Sequence, residues 1–108
     1  MRRAAKVDVN QPDIVKAARA VGASVQTLHT IGKGCPDLLI GYRGVNLVWE
    51  LKDGLLVPSK QVLTPDEIEW HAGWRGDARV VSSVAQALLI LQQTRSQWPR
   101  LPTSGHIL

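Results

Sequence analysis

Two short and almost entirely apolar runs constrain the fold of this chain most strongly. They cover residues 37–41 and 46–52 and are joined by Tyr42-Arg43-Gly44-Val45. Runs of this length on either side of a glycine-containing turn predict a β-hairpin. Because they hardly alternate between apolar and polar residues, we expect both faces of the sheet around them to be largely covered. The rest of the chain must therefore supply the covering layers.

The centre of this turn fixes which residues face each other. If it lies between Arg43 and Gly44, cross-strand partners have residue numbers that sum to 87. Asp37 then faces Glu50, and directly opposed side chains in a hairpin have Cβ atoms only about 5 Å apart. Lys52 follows Glu50 by two residues and emerges on the same face. A β-bulge would shift this pairing by one residue.

Helix and turn signals outside the hairpin predict an α-β-β-β-α-β-α order. Before the hairpin we predict a helix that starts at Asn10 or Gln11 and stops at Gly22, a strand over 24–29 and a loop over 31–36. After it we predict a loop over 53–63 and a helix from the Thr64–Glu67 capping box to about Trp74. A strand over 78–81 and a last helix capped by Ser82 or Ser83 complete the order. This order predicts an α/β fold with a central mixed sheet flanked by helices. We assign 1–9 to a basic N-terminal arm, 10–95 to one domain and 96–108 to a proline-containing tail.

Length and composition exclude several classes of protein. The chain has 108 residues, 44% of them hydrophobic and 20% charged, which is typical of one folded domain. The single cysteine, Cys35, excludes an intrachain disulfide and a multi-cysteine zinc site. No apolar run is long enough to span a bilayer, and the basic start lacks the apolar stretch of a secretory signal. We therefore expect a cytoplasmic protein.

The positive charge is concentrated in one half of the sequence. Residues 1–60 contain nine Lys or Arg and five Asp or Glu, whereas residues 61–108 contain four of each kind, so the net charge of +4 lies wholly in the first sixty residues. Such an excess predicts a basic surface. That surface is either an ordinary solvated face or a binding face for nucleic acid.

The predicted opposition of Asp37 and Glu50 needs a compensating charge, because two buried carboxylates repel each other. In one interpretation Asp37 is a turn residue at the start of its strand and Glu50 pairs with Lys52. In the other, both carboxylates hold one divalent cation, to which the carbonyl of Leu51 adds an oxygen. Mg²⁺ takes one or two carboxylates together with water and phosphate oxygens.

Gly34-Cys35-Pro36-Asp37-Leu38-Leu39-Ile40, followed by Glu50-Leu51-Lys52, resembles the PD-(D/E)XK nuclease superfamily. With the helix from Asn10 and the capped helix at Thr64, residues 7–92 resemble the stand-alone virus-type replication-repair nucleases, the VRR-NUC family of phage and related genomes. The resemblance implies a restriction-endonuclease-like core and a bacterial or phage-infected cytoplasm.

The resemblance also implies roles for individual residues. Asp37 and Glu50 would ligate Mg²⁺ or Mn²⁺ beside the Leu51 carbonyl, and Lys52 would position or activate the attacking water. An acidic residue of the first helix often completes such sites, and Asp13 matches it best, with Gln11 possible. The family often has Gln in the helix after the Glu-x-Lys strand. This chain departs from that pattern, and its auxiliary candidates there are Gln61 and Glu67.

Three loop cations are candidates for contacts with DNA phosphates, namely Lys33, Arg43 and Lys60, although solvated lysines and arginines are common in loops. We expect Cys35 to be a small packed residue rather than a nucleophile, because it has no evident partner base.

The tryptophans have different predicted surroundings. Trp49 alternates away from Glu50 and should be in the core. Trp70 and Trp74, four residues apart on one helix, predict core or interface packing, with base stacking as the alternative. Trp98 in the tail could anchor a partner subunit, and we predict a homodimer.

Taken together, the residues and the resemblance predict a metal-dependent endodeoxyribonuclease. The resemblance implies branched or Holliday-junction-like DNA as its substrate. Two alternatives stay open, namely a non-catalytic DNA-binding module on the same fold and a restriction-type endonuclease that cuts duplex DNA. None of these hypotheses requires a membrane or a small-molecule cofactor other than the cation.

Overall fold

A computed structural model describes residues 9–97, apart from the side chain of Lys60, and confirms the predicted order of elements. The elements are α1 (Gln11–Ala20), β1 (Ser24–Thr27), β2 (Leu38–Tyr42), β3 (Val45–Leu51), α2 (Pro65–Gly73), β4 (Ala78–Val81) and α3 (Val84–Gln93). A short 3-10 helix, Pro58–Lys60, interrupts the loop predicted over 53–63. The arm over 1–9 lies outside the described residues except for Val9, and the tail does so from Trp98 onward.

The four strands form one mixed sheet in the order β1-β2-β3-β4. The pairs β1–β2 and β2–β3 are antiparallel, whereas β3 and β4 are parallel. The chain passes from β3 to β4 through α2, as parallel neighbours require a crossover connection. The predicted α/β fold with a mixed sheet is thus confirmed.

The predicted hairpin register is also confirmed. Leu38 pairs with Trp49, Ile40 with Leu47 and Tyr42 with Val45, so each pair of residue numbers sums to 87. Only two residues, Arg43 and Gly44, form the turn, and both have positive φ angles, 54° and 76°. Positive φ at both central residues is the geometry of a type I′ turn, whose twist matches that of the strands.

Some element boundaries differ from the prediction. The hairpin strands extend closer to the turn, over 38–42 and 45–51 instead of 37–41 and 46–52, because a two-residue turn suffices to reverse the chain. The strand predicted over 24–29 ends at Thr27, and α2 ends one residue before Trp74. Ser83, rather than Ser82, caps α3 by accepting a hydrogen bond from the backbone N–H of Gln86.

The main core lies between the sheet and the helices α1 and α3. Leu38 and Ile40 of β2, with Leu47, Trp49 and Leu51 of β3, belong to one buried cluster together with apolar residues of both helices. These strand residues share one face because side chains alternate along a strand. Trp49 is fully buried, as predicted. Glu50 therefore projects from the opposite face of the sheet.

The two faces of the sheet are covered unequally. On β3 the five residues from Leu47 to Leu51 are all buried, which confirms that this strand is covered on both sides. Helix α2, however, has no buried residue. Among residues 9–97, no helix is long and apolar enough to cross a membrane.

Candidate active site

The open end of the hairpin brings Asp37 and Glu50 together. Asp37 lies one residue before β2, and its backbone N–H donates to the carbonyl of Trp49 at 3.0 Å, which continues the register toward Glu50. Its carboxylate oxygen Oδ2 accepts a hydrogen bond of 2.7 Å from the N–H of Leu51. The negative charge of Asp37 acts on the Glu50 carboxyl group and raises its pKa. The predicted opposition of these two residues is therefore present in the structure.

The surroundings of Glu50 strongly disfavour its negative charge. Only 3% of the residue is exposed. Burial is the largest cause, and with the charge of Asp37 and the neighbouring Glu67 it raises the pKa of Glu50 from 4.5 to about 9. A carboxyl group in this position keeps its proton at neutral pH unless a positive charge replaces that proton. A proton or a cation is therefore needed to compensate the negative charge of this carboxyl pair.

Lys52 lies between two carboxylates. Its Nζ atom is 2.9 Å from Oε1 of Glu67 and 3.8 Å from Oε2 of Glu50. The side chains of Lys52 and Glu67 are mostly buried, at 13% and 16% exposed, so this ion pair is shielded from water. The predicted pairing of Lys52 with Glu50 is therefore present, but Glu67 is the closer partner.

Glu67 is held in place by the start of α2. Its carboxylate accepts a hydrogen bond of 2.8 Å from the N–H of Thr64, while its own N–H donates to the Thr64 hydroxyl, which completes the predicted capping box. Burial raises the pKa of Glu67, but the hydrogen bonds from Thr64 and Lys52 outweigh burial, so the pKa is lowered overall. Glu67 is therefore a fixed negative charge that orients the Lys52 ammonium group.

The donor set fits a hard divalent cation. Asp37 and Glu50 offer carboxylate oxygens at the open end of the hairpin, and Lys52 Nζ lies closer to Oε1 of Glu67, at 2.9 Å, than to Oε2 of Glu50, at 3.8 Å. Mg²⁺ needs only one or two carboxylates because water and substrate phosphate complete its octahedron. Residues 9–97 contain no group of three or more His, Cys, Asp or Glu that could hold a metal ion. The role of the Leu51 carbonyl as a further ligand stays a prediction.

The two candidates on α1 have different surroundings. Asp13 is exposed. Gln11 is buried, with 6% exposed, and its Oε1 atom has no hydrogen-bond partner among the described residues. Both residues belong to the first turn of α1, but only the amide of Gln11 is buried.

Asn10 is a residue whose role the sequence prediction missed. Either Asn10 or Gln11 was expected at the start of α1; Asn10 takes the N-cap position, but its backbone is helical and its side chain makes no capping hydrogen bond. Instead its Nδ2 group donates to the carbonyls of Lys52 and Ser82, both at 3.2 Å. Asn10 therefore ties the start of α1 to the chain just after β3 and β4, where Lys52 lies. The sequence holds no local signal for these contacts, since their partners are 42 and 72 residues away.

Gln61 and Arg43 make hydrogen bonds to backbone carbonyls. Gln61 donates its side-chain N–H to the carbonyls of Leu56 and Gly54, so it stabilises its own loop. Arg43 occupies the opposite end of the hairpin, where its guanidinium donates to the Thr94 carbonyl at 2.9 Å. The side chain of Lys60 lies outside the described residues.

Cys35 and Lys33 belong to the loop that leads into Asp37. Cys35 is half-buried, and burial together with the charges of Glu50 and Asp37 raises the pKa of its thiol. A raised pKa keeps the thiol protonated, in agreement with a packed residue rather than a nucleophile. Lys33 is exposed, with a left-handed φ of 54°.

Comparison with known proteins agrees with this architecture. A solved structure of a VRR-NUC domain matches the chain with a TM-score of 0.59 and 26% sequence identity, covering 82% of this chain and 100% of that chain. No protein-family model and no curated protein matches the sequence. The chain therefore has a VRR-NUC-like fold. This small α/β architecture is that of a nuclease-type, DNA-processing domain, and the predicted resemblance is confirmed at the level of the fold.

Proposed function

We propose that this protein is a Mg²⁺- or Mn²⁺-dependent endodeoxyribonuclease that hydrolyses DNA phosphodiesters. The observation that carries the proposal is the opposed pair of carboxyl groups, Asp37 and Glu50, on the covered hairpin, with the Lys52 ammonium group 3.8 Å from Glu50. A VRR-NUC-like fold around this pair supports the same function.

In this mechanism Asp37 and Glu50 hold the cation between them. When bound, it would polarise a phosphoryl oxygen and lower the pKa of the attacking water. Asp37 is already oriented by the N–H of Leu51, so its second oxygen can face the site without rearrangement. Glu50 must lose its proton to act as a ligand, and the positive charge of the cation makes that loss favourable.

Lys52 would act on the phosphate and on the water. Its Nζ atom lies 2.9 Å from Oε1 of Glu67 and 3.8 Å from Oε2 of Glu50. It can donate a hydrogen bond to a non-bridging phosphate oxygen and stabilise the negative charge that grows during attack. Glu67 would be a positioning residue, since it contacts Lys52 and not the substrate in this mechanism.

Branched DNA of the Holliday-junction kind is the substrate that the sequence resemblance implies, and we adopt it as the proposed substrate. A homodimer would present two such sites related by a twofold axis, as cutting both strands of a junction requires. Three exposed apolar side chains in the loop after β3 support an association surface, namely Leu55 (96% exposed), Val57 (61%) and Val62 (64%). Exposed apolar surface of this kind commonly marks contacts between proteins.

Cleavage of a labelled four-way junction, a branched flap and a linear duplex tests the proposal. With Mg²⁺ we expect the junction to be cut, and removal of the cation with a chelator should abolish cutting. Asp37→Asn and Lys52→Ala should each reduce the rate by at least about a hundredfold, as expected for loss of transition-state charge stabilisation. Asp77→Asn, which changes a carboxylate that pairs with Arg79 just before β4, is the matched control and should retain activity.

Equal cleavage by the wild type and by Lys52→Ala would refute the proposed mechanism. Binding of the junction without any cutting, in the presence of Mg²⁺ or Mn²⁺, would favour the non-catalytic DNA-binding module. Cutting of the linear duplex at discrete sequences would instead favour the restriction-type endonuclease.

A further inference from the structure

Helix α2 carries a pair of stacked tryptophans that the core does not use. The rings of Trp70 and Trp74 lie 4.6 Å apart at an interplanar angle of 16°. Trp70 is half-buried and Trp74 is 49% exposed, and no residue of α2 is buried. Neither tryptophan belongs to the buried core, so the predicted core packing is wrong, whereas packing at an interface stays a prediction.

The tryptophan pair forms one wall of an open groove. The groove is lined by Trp70, Trp74, Gly73, Asp66, Glu69 and Lys33. At 100° per residue, the four lining residues that belong to α2 lie within one arc of the helix, Trp74 follows directly after its end, and Ile68 lies on the opposite side. We call this feature the tryptophan groove. It combines a flat aromatic surface with two carboxylates and one ammonium group.

Backbone contacts place the tryptophan groove beside the candidate active site. Gly34 packs so closely on α2 that a Cβ atom added there would lie 2.2 Å from the carbonyl oxygen of Asp66. Lys33 therefore borders the groove from a loop that reaches Asp37 four residues later. Glu67, which holds Lys52, is three residues before Trp70 on the same helix, so the two side chains are neighbours on its surface.

We infer that the tryptophan groove binds an unpaired nucleobase next to the phosphodiester that is cut, an inference that rests on the proposed function. Single-stranded nucleic acid binds proteins largely by stacking its bases on aromatic side chains. The half-exposed ring of Trp74 provides such a surface, and Lys33 can bind the phosphate of the same nucleotide. Asp66 and Glu69 can accept hydrogen bonds from the amino group of a base such as cytosine.

The charges that line the tryptophan groove favour a nucleobase over a phosphate backbone or a protein partner. Two carboxylates repel a phosphate backbone laid along the groove, so only the base can enter it. The buried centre of a protein–protein interface is depleted of charged residues, whereas three of the six lining residues here are charged. The substrate would therefore carry at least one unpaired nucleotide beside the cut, as branched DNA does at its junction.

Binding of a single strand without divalent cations tests this inference separately from cleavage. The fluorescence anisotropy of a labelled oligonucleotide of about ten nucleotides would be compared with that of a matched strand lacking its bases. The wild type should bind the abasic strand about tenfold more weakly. The Trp74→Ala variant should bind the normal strand about tenfold more weakly than the wild type does. Its affinity for the abasic strand should be nearly the same as its affinity for the normal strand.

Two control variants separate stacking from general damage to the helix. Trp74→Phe keeps an aromatic ring and should recover most of the affinity, whereas Ile68→Ala, on the far side of α2, should bind like the wild type. Equal binding of the normal and abasic strands by the wild type would overturn the inference. So would a Trp74→Ala variant that sediments as a monomer where the wild type is a dimer, since the groove would then be a protein interface.

The outcome is independent of whether the protein cuts DNA. Base-dependent binding without any cleavage in Mg²⁺ would support the groove and refute the proposed nuclease. Cleavage that is lost in Lys52→Ala, combined with equal binding of the normal and the abasic strand, would refute base binding by the tryptophan groove and leave the proposed nuclease standing.

Discussion

Replacing Glu50 with Gln should stabilise the metal-free protein at neutral and alkaline pH. The pKa of Glu50 is raised from 4.5 to about 9 in the folded protein, mainly by burial. Between these values the folded state holds a proton that the unfolded state has lost. The stability due to this group is therefore fully present below pH 4.5 and is lost progressively as the pH rises toward 9.

The magnitude follows from proton linkage. One proton bound in the folded state only gives a slope of about −1.4 kcal/mol in unfolding free energy per pH unit. The wild type should therefore lose roughly 2–3 kcal/mol between about pH 6 and about pH 8 from Glu50 alone. Gln has nearly the same shape and does not ionise, so Glu50→Gln should lack this part of the slope.

Urea unfolding in the presence of a chelator would measure the effect. Trp49 is fully buried and adjoins Glu50, so tryptophan fluorescence reports unfolding of this region. The Glu50→Gln protein should be more stable than the wild type, by a difference that grows with pH. If the unfolding free energies of the two proteins change equally with pH between about pH 5 and about pH 9, the electrostatic account of the carboxyl pair is refuted.

Two further predictions concern the loops and contacts that place the site. Gly34→Ala should destabilise the fold by more than about 1–3 kcal/mol, since the added Cβ would meet the Asp66 carbonyl and φ is +79°. Gly32→Ala is its control, because Gly32 has a similar φ but open space around it, and this variant should lose only about 1 kcal/mol of stability. Equal losses of unfolding free energy in urea for the two variants would contradict the role of packing at Gly34. Asn10→Ala should lower stability by about 1–3 kcal/mol because it leaves the Lys52 and Ser82 carbonyls without their donor, and an unchanged thermal midpoint would contradict this role.

The hairpin shows how far a sequence can determine a site. A two-residue turn at Arg43 and Gly44 sets an even register, and the alternation of side chains then decides that Asp37 faces Glu50. Both steps depend on local geometry, so both can be derived from residue numbers. The capping box at Thr64 and Glu67 is likewise local and was predictable.

The remaining features of the site depend on contacts between distant segments. The bond between Lys52 and Glu67 joins residues on different elements, and a capping-box pattern does not reveal that its carboxylate has a second partner. Asn10 has the sequence signature of a helix cap but acts across the fold. The spacing of Trp70 and Trp74 predicts that they share one stripe, yet periodicity cannot tell whether that stripe is covered.

Calorimetric titration of Mn²⁺ into the metal-free protein near neutral pH tests the central claim most directly. If Asp37 and Glu50 hold a catalytic cation, the wild type should bind Mn²⁺ and release up to one proton per ion, because Glu50 must ionise to become a ligand. Heats measured in buffers of different ionisation enthalpy would give that number. Glu50→Gln should bind far more weakly and release no proton from this site. Absence of Mn²⁺ binding by the wild type, or equal binding by the wild type and Glu50→Gln, would contradict the claim that this carboxyl pair is a metal site.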